Sequence, residues 1–124
     1  MSKLTPNLIV DAIEPCLPFW ESLGFTRKVT VPHEDKIGFV ILAKDELELM
    51  IQSRASVADD VPQIARGAYR TVIYLEVPDL DAAYAQLRAA EVLIEGRSTF
   101  YGARESVVRD PAGNIVFIAQ HVVK

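Results

Sequence analysis

The sequence predicts an α+β chain made of two βαβββ modules in tandem. Three observations lead there. An offset of 67 residues carries Val10 onto Val77, Ile13 onto Leu80, Leu17 onto Tyr84, Trp20 onto Leu87 and Phe25 onto Val92, and it lands Leu49-Met50-Ile51 on Val116-Phe117-Ile118. This is a repeat of pattern more than of letters. Each half opens with a short β-branched run, passes through an amphipathic helical stretch, and closes with three further strand candidates. Finally, Asp110-Pro111-Ala112-Gly113-Asn114 is a strong hairpin turn, in which Pro presets φ and Gly accepts a positive one.

The first strand is expected over Asn7 to Val10. Ile13, Leu17, Trp20 and Leu23 then recur at helical spacing, with Pro15 suited to the first turn and Gly24 to a left-handed stop. Strands follow over Arg27 to Val31, Ile37 to Leu42 and Leu47 to Gln52. Ser53 to Gly67 is rich in small and polar residues and reads as a linker, with a short helix around Val57 to Ala65. The second half repeats the order. It has a strand over Thr71 to Val77, a helix capped by Asp79 with Leu80, Ala83, Tyr84 and Leu87 on its apolar stripe, and strands over Ile94 to Ser98, Glu105 to Arg109 and Ile115 to Gln120. Residues 1–124 are thus expected to form a single domain, its modules at about 4–52 and 69–121 joined by a linker at 53–68.

Half of the 124 residues are hydrophobic, enough for a core that needs no staple. No apolar run approaches the roughly 18 residues that span a bilayer, and no signal-peptide pattern opens the chain, so a cytoplasmic protein without membrane contact is expected. Cys16 stands alone, which rules out an intrachain disulfide. A net charge of −4 argues against nucleic acid, whose phosphates require a clustered basic face.

Three stretches carry a family resemblance. Phe19-Trp20-Glu21-Ser22-Leu23-Gly24-Phe25 places an aromatic pair before Leu-Gly-Phe, and Val77-Pro78-Asp79-Leu80-Asp81-Ala82-Ala83 opens the second half. Tyr101-Gly102-Ala103-Arg104-Glu105 precedes the Asp110-Asn114 turn. Together and in this order they resemble the glyoxalase/bleomycin-resistance/dioxygenase (vicinal oxygen chelate) superfamily. The resemblance implies that the paired modules form a curled mixed sheet with a cleft, commonly within a homodimer.

Metal-dependent members of that superfamily carry His, Gln or Glu at four inward positions, which fall here on Thr5, Met50, Val72 and Phe117. A catalytic divalent ion needs about three nitrogen, oxygen or thiolate donors. Val and Phe have none, a thioether is soft, and a neutral hydroxyl is a poor ligand. No metal and no cofactor are therefore expected, which places the chain near the metal-free bleomycin-resistance branch.

Strand alternation puts Leu8, Val10, Leu49, Ile51, Ile73, Leu75, Val77, Val116 and Ile118 on the face under the helices. The other face mixes apolar area with polar anchors, as a ligand surface does. Its candidate ligand-binding residues are Asn7, Phe39, Glu48, Met50, Gln52, Val72, Tyr74, Glu76, Tyr101, Arg104 and Phe117. Phe39, Phe100 and Tyr101 could stack on a planar drug; Glu48, Glu76 and Glu105 could act as acid or base or counter a cation; Arg104 could clamp an anion or pair with Glu105 or Asp110. Cys16, near a helix start, reads as a small buried residue, and His33 and His121 as a loop and a near-terminal residue.

The reading is a metal-independent binder of a small molecule, such as a drug or antibiotic. Two alternatives stand beside it. One is a lyase, isomerase or dioxygenase using His33, Glu48, Glu76 or His121 as unusual ligands, or a cleft Glu without metal. The other is an interaction module whose cleft is filled by dimer contacts.

Overall fold

The computed structural model describes residues 3–121. They fall into two compact units that divide after Tyr69. In the first, β1 (Asn7–Val10) leads through a 3-10 turn, Glu14–Cys16, into α1 (Leu17–Ser22). Then come β2 (Thr26–His33), β3 (Lys36–Lys44), β4 (Leu47–Ser53) and α2 (Arg54–Asp60). The second unit runs β5 (Val72–Glu76), α3 (Leu80–Gln86), β6 (Glu91–Ser98), β7 (Ala103–Arg109) and β8 (Ile115–His121). Each unit holds one open four-stranded mixed sheet, ordered β1-β4-β3-β2 and β5-β8-β7-β6. The pairs β1–β4 and β5–β8 are parallel and the rest antiparallel. The βαβββ order is that read from the repeat.

Local chemistry sets the ends of these elements. Gly24 terminates α1 at φ +97°, a region open to glycine without Cβ strain. Asp79 caps α3, its carboxylate accepting from the Ala82 N–H at 3.1 Å. The helix expected around Val57 to Ala65 begins earlier, at Arg54, because the Ser53 hydroxyl accepts from the Ser56 N–H at 3.2 Å and caps it directly off β4. It also stops earlier. Pro62 disfavours helical backbone at Val61, which sits at φ −135°, ψ 77°, and a separate 3-10 turn, Pro62–Ile64, follows.

The first core gathers Leu8, Val10, Ile13, Leu17, Phe19, Trp20, Val40, Leu42, Leu49 and Ile51, all buried. Trp20 is its centre, meeting Phe19 and Phe25 edge-on at ring-centroid distances of 5.0 and 5.5 Å. In the second unit Leu75, Val77, Leu80, Val108, Val116 and Ile118 are buried against one another, while Ala83, Tyr84 and Leu87 of the expected stripe stay partly exposed.

The closing turn ties three strands together. Asp110 Oδ1 accepts from the Ala112 and Asn114 N–H groups at 3.0 and 2.7 Å, and its Oδ2 accepts from Asn114 Nδ2 at 3.1 Å. Asn114 Oδ1 in turn accepts from the Thr71 N–H at 2.7 Å, joining the β7–β8 hairpin to the start of β5. Gly113, at φ +90°, permits the geometry. Bonds to a charged acceptor contribute about 1.5–3 kcal/mol each, but they share one carboxylate and do not add. Asp110→Ala should cost about 2–3 kcal/mol, read as a lower urea midpoint with an unchanged slope. A midpoint like that of the parent would show the turn to be held by backbone alone.

Candidate functional site

Because side chains alternate across a strand, each sheet has a face turned away from its helices. On the first sheet that face carries Asn7, Glu48, Met50, Gln52 and Phe39; the register sets Asn7 beside Met50 and Phe39 beside Gln52. Its polar groups are bound to each other. Asn7 Nδ2 donates to Gln52 Oε1 at 3.1 Å, and Gln52 Nε2 donates to Ser56 Oγ at 3.1 Å. Glu48 takes Lys28 at 2.6 Å and Lys3 at 2.9 Å. The hydrogen bond from Lys28, then that from Lys3, holds the Glu48 carboxyl down at about 2. A carboxylate so matched leaves little charge for a ligand cation.

The second sheet is different. Val72, Tyr74 and Glu76 of β5 lie beside Ile115, Phe117 and Ala119 of β8, and Glu105 and Val107 of β7 continue the same face. The Tyr74 and Phe117 rings stand 6.1 Å apart and tilted by 30°, with Tyr74 partly open to solvent. At the middle of this face is a fully buried carboxylate, Glu105, with 0% exposure. Arg97 of β6 donates to its Oε1 through Nε at 3.2 Å and Nη2 at 3.1 Å, and the Tyr101 hydroxyl donates to its Oε2. Tyr74 lies near enough to add to the electrostatics of the group. Burial pushes the Glu105 carboxyl up, but the bonds from Tyr101 and Arg97, with Tyr74 adding to them, outweigh it and leave the group below the ordinary carboxylate range. The Arg97 guanidinium also lies over Phe117, 5.8 Å from the ring centroid.

The same cluster raises its phenols. Desolvation first, then the Glu105 charge, pushes Tyr74 up to about 12, and the bond to Glu105 raises Tyr101. Both remain neutral donors at physiological pH. Tyr74 Oη is 3.0 Å from His121 Nε2, which lies 3.7 Å from a Glu76 oxygen.

Taken separately, the first unit places Asn7, Phe39, Glu48, Met50 and Gln52 on the face away from its helices, and the second places Val72, Tyr74, Glu76 and Phe117 on its own such face, with Tyr101 at the rim. Arg104 is not among them. One residue from Glu105 along β7, it turns to the helix side and pairs with Asp81 of α3 at 3.3 Å, rather than with Glu105 or Asp110. Elsewhere, His33 pairs with Asp59 at 2.6 Å, Cys16 is buried, and Phe100 is fully exposed with its ring edge-on to Tyr101. Arg97 was not legible as a site residue, and Glu105 only as a generic carboxylate. Their contact depends on a register shift between Ile94 and Arg97, for which Gly96 inside a strand was the one available signal.

The four positions that the resemblance implies for metal ligands can be judged on their donors. In the first unit they hold a hydroxyl, Thr5, and a thioether, Met50; in the second, the hydrocarbon side chains of Val72 and Phe117. This set does not fit a hard divalent ion. Nor, among the described residues, do three His, Cys, Asp or Glu side chains gather elsewhere. Among the described residues, open depressions also lie apart from these faces. One, beside α2, is lined by Asp11, Pro62 and Arg54, the last bonded to Asp11 and to the Ala65 and Gly67 carbonyls; another flanks the closing turn near Arg70 and Arg109. No helix among the described residues is long and apolar enough to cross a membrane.

The sequence matches the family described as Glyoxalase/Bleomycin resistance protein/Dioxygenase superfamily over residues 4–118. Among solved structures, TioX from Micromonospora sp. ML1 superposes with a TM-score of 0.80 at 18% identity, covering 98% of this chain and 100% of its own. A protein of unknown function from Agrobacterium tumefaciens str. C58 gives 0.76 at 21% identity, covering 98% and 95%. A bleomycin-binding protein complexed with bleomycin gives 0.67 at 18% identity, covering 98% and 100%. At such identities the likeness speaks for fold alone. No curated protein matches the sequence.

Proposed function

The chain belongs to the glyoxalase/bleomycin resistance protein/dioxygenase superfamily, and from that premise we propose that it is a metal-independent small-molecule binding protein, its ligand a planar drug or antibiotic. The observation that carries this is the second sheet's face. Two adjacent rings, Tyr74 and Phe117, offer apolar area beside a fixed polar cluster, the composition of a ligand surface. The donor-poor metal positions support the absence of an ion, and the bleomycin complex of a structural neighbour supports the ligand class. A homodimeric, cytoplasmic protein belongs to the same reading.

An isomerase working through a carboxylate is less well supported. Both oxygens of Glu105 are already engaged by Arg97 and Tyr101, which leaves it a poor base.

Calorimetric titration with bleomycin and a panel of planar aromatic antibiotics tests the proposal. At least one compound should bind stoichiometrically with heats unaltered by EDTA. Phe117→Ala should then weaken it about ten-fold, the loss of a stacked ring being about 1–2 kcal/mol. Flat titrations across the panel would overturn the binding role. Stoichiometric zinc, nickel, manganese or iron in the purified protein would overturn its metal independence.

A further inference from the structure

Arg97 fills a seat that other residues build. A buried carboxylate, Glu105, and the Phe117 ring converge on its guanidinium, with the Tyr101 hydroxyl fixing the carboxylate from the other side. A carboxylate combined with an aromatic face is the chemistry that recognises organic cations. The occupant is less firmly held than the seat. Glu105 is fully buried on the interior strand β7, whereas Arg97 comes from the edge strand β6, next to Gly96 at φ +60°, and keeps 42% of its side chain exposed. Its long apolar stem can carry the charged head from the seat into adjacent water.

We propose that Arg97 is an exchangeable internal plug. The seat of Glu105 and Phe117 takes the cationic head of a ligand, a guanidinium, amidinium or aryl-ammonium group, whose planar body lies on Tyr74 and Phe117. This rests on the reading of the second-sheet face as the ligand surface and names the charge of what binds there. Exchanging one cation for another keeps the buried carboxylate paired throughout, so the large cost of an unmatched buried charge never arises. Arg97 as an anchor for anions is the weaker alternative. Two of its N–H groups are spent on Glu105, and an anion on this face would meet two carboxylates, Glu105 and Glu76, against one guanidinium.

The test uses three isosteric probes, benzamidinium, benzamide and benzoate, titrated calorimetrically into the parent protein, Arg97→Ala, Arg97→Met and Arg97→Met/Glu105→Gln, with circular dichroism to verify folding. Removing the plug should tighten benzamidinium at least ten-fold and raise the melting temperature of the variants saturably, with no such gain for benzamide or benzoate. Adding Glu105→Gln should abolish the gain. Should Arg97→Ala not fold, Arg97→Met keeps an apolar stem without the charge and carries the comparison. In the parent protein, benzamidinium should move the Arg97 Nε–H resonance toward its solvent-exchanging position. Folded Arg97 variants that bind benzamidinium no tighter than the parent, an unmoved Arg97 resonance under saturating probe, or a parent that prefers benzoate would overturn the plug. Planar antibiotics that still bind in that event would leave the ligand surface itself standing.

Discussion

Trp20→Ala is expected to remove about 3–5 kcal/mol of stability, the range for truncating a large core aromatic. Trp20 has no exposed surface, and two edge-on rings, Phe19 and Phe25, would lose their partner at once. Against a typical total of about 5–15 kcal/mol, a loss of that size leaves the first unit marginal. Urea unfolding followed by far-ultraviolet circular dichroism checks it, and a loss below about 1 kcal/mol would show that the core collapses readily around the gap. Trp20→Phe should be far milder. The Trp20 indole N–H is buried without a hydrogen-bond partner, and an unmet donor costs about 1–3 kcal/mol. Removing it offsets part of the lost ring, so the net cost should be about 1–2 kcal/mol.

Glu105→Ala is expected to cost about 3 kcal/mol, the low end for breaking a buried ion pair. The low end applies because Arg97 is more than a third exposed and can turn its charge into water, where screening is strong. Glu105→Gln, which keeps the volume and one acceptor, should cost less. The pH dependence has a definite sign. Hydrogen bonds hold the folded carboxyl below its usual 4.5, so its stabilisation is complete above that value and is lost as pH falls through the lower folded one. The gap in melting temperature between parent and Glu105→Ala should therefore be widest near neutrality and narrow on acidification below about 4.5. A constant gap down to strong acid would mean that the charge of Glu105 contributes nothing.

The residues that could be read ahead of the structure act locally. Asp79 and the Asp110-Asn114 turn engage backbone a few positions away, and the alternation in Leu49-Met50-Ile51 and Val116-Phe117-Ile118 assigns each residue a face without knowledge of its neighbours. Alternation likewise separates Arg104 from Glu105, since consecutive residues on one strand cannot share a face. What stayed hidden depends on pairing across strands. Lys28 and Lys3 reach Glu48 from elsewhere in the first unit, and Arg97 meets Glu105 only after the β6 irregularity re-aims it. Sequence spacing cannot supply such registers, because a one-residue shift exchanges the faces.

The parallel pairing of the first and last strands in each unit also orders assembly. The hairpins β3–β4 and β7–β8 close over short distances, but Val10 must wait for Ser53, and Val72 for Ile115. Bringing such distant segments together costs loop entropy before any contact repays it. Asn7–Val10 is therefore an orphan strand while the chain is being made, and the partner it finally joins is the last strand its own half produces.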